Sequence, residues 1–374
     1  MQIRFGVSIS LSGRYSIQGR ESFEGLNLWV KDANRSGGIL VKKNGKRLPV
    51  KLIYYDDESS SETCKILVER LIIKDKVDVL IGPYSSRLTL SVAPIADKYK
   101  KILWNHGGSS DEIFKKGFRY IVSTISPASK YLNGIIDMVR TIDKEAKKIA
   151  LIQADDSGFS TNVAEGAGRY GKEKGFQVTN FKYKSGTKDF SFLLNNVKQN
   201  NPDIILSAGR AEDDLILARQ ILEHRVSAKA IGLVVAGIKH FKEQLGKDAE
   251  GFLGPSQWER GIKIKPDFGP TPEEFFKRFK NAYGKEPDYT AAQGYNIGLI
   301  IQWCIEEAGT FDDLSLRETA GRTQFRTFYG DFKIDPVTGN QIGHKMLIVQ
   351  WQSGEKFIVY PEEVAERHLI YPKP

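Results

Sequence analysis

Strand-length apolar runs alternate with helix-length amphipathic segments from Ile3 to Val235, and each passage from strand to helix is a short loop of Gly, Ser or Asp. That alternation restricts the chain to parallel sheet with helices on both faces, reached by right-handed crossovers. The opening block sets the pattern. Ile3-Arg-Phe-Gly-Val-Ser-Ile-Ser-Leu-Ser-Gly13 reads as a buried strand running into a Ser/Gly turn. Gly19-Arg-Glu-Ser-Phe-Glu-Gly25 opens a helix with Glu21 and Glu24 in its first turn, where carboxylates suit the macrodipole. Ala33-Asn-Arg-Ser-Gly-Gly-Ile39 closes that helix on a Gly pair. The pattern restarts beyond Ser123, so two doubly wound units of similar size are expected. The last third does not complete another unit. It offers a Gly/Pro-rich stretch from Gly251 to Pro272, two long helices beginning near Pro272 and Asp288, a shorter one near Leu314, and terminal hairpin strands with turns at Val337-Thr-Gly-Asn340 and Ser353-Gly354.

A length of 374 residues favours two domains. No apolar run approaches the roughly 20 residues of a membrane span. Met1 leads directly into the first strand, so an export signal is expected to be either removed or never present. The net charge is +9, yet the basic residues fall in short scattered clusters such as Lys42-Lys43, Lys115-Lys116 and Lys147-Lys148. No nucleic-acid module accompanies them, so nucleic acid is not an expected partner. The five histidines and the two cysteines, Cys64 and Cys304, show no metal spacing, and the two thiols are expected to be buried and free.

Ligands of open parallel sheets bind beyond the carboxyl ends of the strands. Two such loops are rich in small hydroxyl residues: Gly82-Pro-Tyr-Ser-Ser86 and Asn105-His-Gly-Gly-Ser-Ser110. Each precedes a helix N-terminus, where exposed N–H groups and hydroxyls suit a carboxylate. Plain N-capping is the competing role for these serines. His106-Gly-Gly resembles an esterase oxyanion loop, but no Gly-x-Ser-x-Gly elbow accompanies it. Asp56-Asp57 and Asp155-Asp156 sit in strand-end turns. Neither a Walker loop nor Gly-x-Gly-x-x-Gly is present. No catalytic residue, cofactor or metal is therefore expected.

In order along the chain, several pieces resemble the leucine/isoleucine/valine-binding proteins of bacterial ABC importers. They are the opening block through Gly37-Gly-Ile, Asp56-Asp57, Val79-Leu-Ile-Gly82-Pro with Ser85-Ser86, Ala93-Pro94, Gly117-Phe-Arg-Tyr120, Asp155 to Phe159, Gly186-Thr-Lys-Asp-Phe190, Gln293-Gly-Tyr-Asn296 and Gly330-Asp-Phe332. The resemblance implies the type I periplasmic binding protein fold: α/β, with two doubly wound Rossmann-like lobes joined by three crossover strands. The crossings should fall near residues 123–126, 251–258 and 330–334. Residues 1–123 with 257–330 would form the N-terminal lobe, and 124–256 with 331–374 the C-terminal lobe, with a hinge at the crossings.

The same resemblance implies a ligand held in an interlobe cleft that closes over it. Ser86, Gly108 and Ser109 match positions that hold the α-carboxylate and amino group, Gln18 walls the side-chain pocket, and Phe159 closes over the ligand. Arg210 stands where an aromatic is common. Ala236 stands where amino-acid binders carry an acid that pairs the ligand ammonium. Losing that acid would leave a buried ammonium unpaired at a cost of several kcal/mol. A carboxylate-bearing ligand without a free ammonium is expected, aromatic if Tyr84, Trp104 or Trp258 lines the pocket, unless Asp213 or Asp214 replaces the acid. The full candidate set is Gln18, Tyr84, Ser85, Ser86, His106, Gly107, Gly108, Ser109, Phe159, Arg210, Ala236 and Trp258. The expected function is an extracytoplasmic, monomeric, non-enzymatic receptor, free or lipid-anchored, that delivers a small molecule to an inner-membrane ABC permease. The alternative is a cytosolic small-molecule sensor of the same fold that regulates gene expression.

Overall fold

The structure, a computed structural model, describes residues 1–374 apart from the side chains of Asn44 and Ala211. The chain forms two compact units, Met1–Pro127 with Ile264–Lys345 and Ala128–Lys263 with Met346–Pro374, and passes between them three times.

The first unit opens with β1 (Ile3–Ile9), α1 (Ser16–Arg35), a hairpin of β2 (Ile39–Val41) and β3 (Lys46–Leu48), β4 (Val50–Asp56), α2 (Ser61–Ile73), β5 (Val79–Ile81), α3 (Ser86–Lys98), β6 (Leu103–Asn105), α4 (Glu112–Lys115) and β7 (Ile121–Ser123). Its sheet has the order β4-β1-β5-β6-β7, every pair parallel. Two-sided burial explains the unbroken apolar character of β5. The helix α1 starts one turn earlier than its acidic residues suggest. The N–H of Ser16 donates to Gly13 O, and that of Gly19 to Tyr15 O. Glu21 consequently lies in the second turn and accepts from the Thr290 hydroxyl at 2.5 Å. The early start moves Gln18 into the first turn, directly after the loop that follows β1.

The second unit continues with α5 (Asn133–Ile142), β8 (Lys148–Ala154), α6 (Gly158–Glu173), β9 (Gln177–Tyr183), α7 (Ser191–Asn200), β10 (Ile204–Ala208), α8 (Ala211–Glu223), β11 (Ala230–Leu233), α9 (Lys239–Leu245) and β12 (Leu253–Ser256). The chain then returns to the first unit as α10 (Pro272–Tyr283), α11 (Tyr289–Ala308), α12 (Asp313–Arg322), β13 (Phe325–Thr327) and β14 (Gly330–Phe332), and ends in the second unit with β15 (Leu347–Gln352) and β16 (Glu355–Tyr360). The second sheet has the order β16-β15-β12-β11-β10-β8-β9. The strands β12 to β9 in that order are mutually parallel, and β15 and β16 add antiparallel at the β12 edge. The helix α10 follows its sequence signals: Pro272 at the first position, a Thr271/Glu274 capping box and a left-handed Gly284.

The last crossing differs from the expected position near residue 330. Residues 331–345 stay with the first unit, and the chain leaves only after Lys345. Three contacts hold this segment. The strand β14 pairs with β13, Ser123 N–H donates to Gly339 O, and the Arg317 guanidinium donates to the carbonyls of Pro336 and Val337. A hairpin signal alone does not say which sheet the hairpin joins.

The helices α1 and α11 pack through small residues. A Cβ on Gly25 would collide with the Ala291 carbonyl, one on Gly294 with the Ser22 carbonyl, and one on Gly298 with the Trp29 ring. Those clashes are with backbone or a buried indole, so neighbours cannot rotate away. Gly25→Ala should therefore destabilise the protein by about 2–3 kcal/mol in urea melts, although alanine is the better helix former. Gly158→Ala, where nothing lies within 4 Å of the added carbon, should leave the melt unchanged or slightly raised.

Candidate ligand-binding site

The expected site residues gather at the carboxyl edge of each sheet. In the first unit Gln18 follows β1, residues 84–86 follow β5 and residues 106–109 follow β6, and these three strands are neighbours. In the second unit Phe159, Arg210, Ala236 and Trp258 follow β8, β10, β11 and β12, four consecutive strands of its sheet.

The first edge is tied together by side chains that satisfy loop amides. Ser86 Oγ accepts from the N–H groups of both Ser109 and Ser110 at 3.1 Å, so it joins the loop after β5 to the loop after β6. Those two amides are thereby used within the protein, and the Ser86 hydroxyl keeps its own proton to donate. Asn105 holds Gly108 on both sides: Gly108 N–H donates to its Oδ1 at 2.8 Å, and its Nδ2 donates to Gly108 O at 2.7 Å. A Cβ on Gly108 would stand 2.6 Å from Thr89 Oγ1, so only glycine fits that close approach. Asp56 and Asp57 are structural. Asp56 accepts from the amides of Leu11, Ser12 and Glu58, which together outweigh burial and hold its carboxyl below the usual range. Asp57 is fully buried and accepts from the hydroxyls of Ser8 and Ser10 and from Ser59 N–H, with burial pushing its carboxyl up.

Two polar atoms on this edge are left over. Ser85 Oγ and His106 Nδ1 are both buried without a hydrogen-bond partner. His106 is 1 % exposed, and burial pushes its pKa down to about 4, so the ring is neutral at pH 7. A neutral imidazole presents one donor and one acceptor. An aromatic pair flanks the same edge. Tyr84 meets Tyr15 edge-on with centroids 6.3 Å apart, and Arg14 lies over the Tyr15 ring at 5.7 Å. Tyr15 was not among the candidates. Its place in the loop after β1, at the cap of α1, is the signal that could have found it. Trp104, by contrast, is a buried residue of β6.

In the second unit Ser157 caps α6 by accepting from Ser160 N–H at 3.3 Å, which sets Phe159 in the first turn. The Phe159 ring meets Tyr131 edge-on at 5.5 Å. Arg210 caps α8 with an extended backbone, its side chain half-buried, and among the described residues it has no ion pair. Ala236 is wholly buried. Its side chain packs in the core cluster with Phe241 and Phe252, and its carbonyl accepts from Trp351 Nε1 at 2.8 Å. Trp258 is also buried, and its carbonyl accepts from Ser256 Oγ.

Of the two aspartates of α8 that could replace the missing acid, Asp214 is the more fully engaged, while Asp213 keeps its Oδ2 buried without a hydrogen-bond partner. Asp214 is fully buried, accepting from Ser207 Oγ at 2.6 Å and from Val235 N–H at 3.4 Å, and burial raises its pKa to about 7. Asp213 accepts from Gly186 N–H. The pair Asp155–Asp156 is likewise absorbed, by Lys184 and by Ser185. Cys64 and Cys304 are buried free thiols, that of Cys64 pushed up to about 12 by desolvation. Among the described residues no cluster of His, Cys, Asp or Glu has the makings of a metal site, and no helix is long and apolar enough to cross a membrane.

Two Rossmann-like units with polar, small-residue loops at the carboxyl edges of their sheets define a ligand-binding α/β protein rather than a structural module. The chain belongs to the periplasmic binding protein family, whose sequence profile matches residues 2–356. It is 24% identical over 389 residues to Leu/Ile/Val-binding protein homolog 7 of Brucella suis biovar 1 (strain 1330), an alignment covering 99% of this chain and 94% of that one. In fold it matches the leucine-binding protein LivK of Thermotoga maritima with a TM-score of 0.78 at 22% identity, over 95% of this chain and 97% of that chain. It matches equally a solute-binding protein of an R. palustris ABC transporter solved with 4-hydroxybenzoate, TM-score 0.78 at 20% identity, over 100% and 98% of the two chains.

Ser86→Ala removes the acceptor of two loop amides at once, so it should lower stability by about 1–3 kcal/mol in denaturant melts. Two pH effects of opposite sign should be separable. The unfolded chain binds more protons than the folded one at His106 between roughly pH 4 and 6.5, so that contribution is present above pH 6.5 and is lost as pH falls towards 4. Asp214 is the reverse: the folded form holds its proton up to about pH 7 while the unfolded chain loses it near the ordinary carboxylate value, so its contribution is fully present below about pH 4 and is lost as pH rises to 7. His106→Gln should remove the rise of stability with pH between about 4 and 6.5, and Asp214→Asn the opposing fall between about 4 and 7, both read from melting temperatures across pH 4 to 8.

Proposed function

We propose that this chain is the extracytoplasmic substrate-binding component of an ABC importer, and that its ligand is a small carboxylate, an aromatic acid in particular. The reading rests on membership of the family and, above all, on the pair Ser85 Oγ and His106 Nδ1, two buried polar atoms without partners on neighbouring strand-end loops. Leaving such groups unpaired costs about 1–3 kcal/mol each, a cost a ligand oxygen would relieve. The half-buried Arg210, with no ion pair among the described residues and no acid at position 236, favours an anion over an α-ammonium. The Tyr15–Tyr84 and Tyr131–Phe159 pairs suit a flat apolar body. The relative solved with 4-hydroxybenzoate is consistent with such a ligand on this fold. The ligand would be passed unchanged to an inner-membrane permease, the binding protein acting as a monomer without cofactor.

A thermal-shift and calorimetric panel of branched-chain amino acids, hydroxybenzoates, dicarboxylates and amides tests this. Hydroxybenzoates should raise the melting temperature in proportion to the logarithm of their excess. Arg210→Ala should weaken that binding by roughly tenfold to a hundredfold, as expected for loss of a charged hydrogen bond. Larger shifts from leucine or isoleucine would overturn the ligand class, and chemically altered ligand recovered after incubation would overturn the receptor role.

A further inference from the structure

At the amino-terminal edge of the first unit's sheet lies a second cavity, of about 580 Å³, bordered by Gly117, Arg119, Arg317, Arg322 and the Pro336-Val337 turn, with Glu318 also on its wall. Gly117 and Arg119 precede β7, whereas Ser85 and His106 follow β5 and β6, so the cavity opens at the opposite edge of the same parallel sheet. Arg317 is only 5 % exposed. Its Nε donates to Arg119 O at 2.9 Å, and its Nη2 to Pro336 O at 3.1 Å and Val337 O at 3.3 Å. These bonds satisfy three donors but do not neutralise the charge. None of the three guanidiniums has an ion pair among the described residues. The nearest acid in electrostatic terms, Asp335, is engaged by the amides of Val337 and Thr338 and by the Thr338 hydroxyl.

Two donors remain on Arg317 Nη1, which has no hydrogen bond among the described residues and stands 3.5 Å from where a Cβ on Gly321 would be. Tying the Arg119 carbonyl and the 335–339 turn to α12 accounts for Nε and Nη2, and a favourable position at the C-terminus of α12 accounts for Arg322. Neither accounts for a guanidinium whose residue is only 5 % exposed, with no acid paired to it and Nη1 left over, or for Arg119 on the same cavity. A tetrahedral oxyanion placed there would pair the buried charge and meet three planar donors of the kind that bind phosphate oxygens in pairs. We propose that this cavity is a phosphate-type oxyanion site, separate from the ligand site, which takes either a free phosphate or the phosphate of an anionic lipid headgroup.

The test uses the whole chain at low ionic strength, where exposed charges are least screened. It is titrated calorimetrically with inorganic phosphate, and co-sedimented with vesicles of phosphatidylglycerol and of phosphatidylcholine. Arg119→Gln with Arg322→Gln changes two exposed side chains and leaves Arg317 to hold the fold. Phosphate or phosphatidylglycerol binding that weakens by roughly tenfold or more in this double variant supports the site, since each guanidinium supplies charge-assisted bonds. Phosphate alone would identify the free anion, and phosphatidylglycerol competed by phosphate the headgroup. Binding to neither, or binding unchanged in the double variant, overturns the proposal. Phosphate binding lost instead in Arg210→Ala also overturns it, by placing the anion at the other edge. Affinity for hydroxybenzoates should be the same in the double variant, so this result and the ligand assignment fail independently.

Discussion

Every loop that carries a candidate ligand-site residue of this protein emerges from the end of a parallel strand, where the ladder stops and backbone amides lose their partners. A buried amide without a partner costs as much as a lost hydrogen bond, so these loops exist only where side chains take over the ladder's work. In the first unit Ser86, Asp56 and Asp57 do so across segments distant in sequence, and Asn105 does so within its own loop by holding Gly108. In the second unit Asp214 ties the end of β10 to the residues after β11, and Asp156 and Asp213 tie the loop after β9 to its neighbours. The polar residues that look like catalytic acids are thus spent on holding loops in register. What remains unspent, Ser85, His106, Arg210 and one carboxylate oxygen of Asp213, is what can face a ligand.

The alternation of strand and helix was legible because each element is long enough to bury a face and each junction carries its own turn or cap chemistry. The boundaries of α10 follow directly from Thr271, Pro272, Glu274 and Gly284. The start of α1 was not legible: Glu21 and Glu24 mark a first turn, but the helix begins at Ser16, and Gly19 is needed for close packing against the Ser10 carbonyl. Likewise the stretch from Asp331 to Lys345 reads as hairpin, while its allegiance is decided by Arg317, whose bonds reach Arg119 across almost two hundred residues. Local pattern announces elements, and long-range contacts choose between sheets.

The candidate site shows the same division. That loops rich in Ser and Gly would line the strand ends could be read from spacing alone. Which hydroxyl is free could not, because Ser85 and Ser86 are adjacent and chemically identical in sequence. One of them is consumed by two amides and the other is left with nothing. Tyr15 was missed because its partner, Tyr84, lies 69 positions away by subtraction of the two residue numbers, and only the pairing of β1 with β5 brings the two loops side by side.

The two edges also differ in electrostatic character, and burial is the cause. At the first, desolvation keeps His106 uncharged and leaves hydroxyl and imidazole dipoles as the available groups. A cradle of neutral dipoles can accept the oxygens of a carboxylate without requiring a counter-charge to be stripped of water. At the second, the cation Arg210 sits half-exposed at the start of α8, where water still solvates it in the absence of an anion. A positive group that can remain solvated when empty costs little to keep unpaired, whereas a buried carboxylate at position 236 would not, because that position lies wholly within the core against Phe241 and Phe252. The absence of an acid at residue 236 is therefore a packing requirement of this chain's core as much as a statement about its ligand.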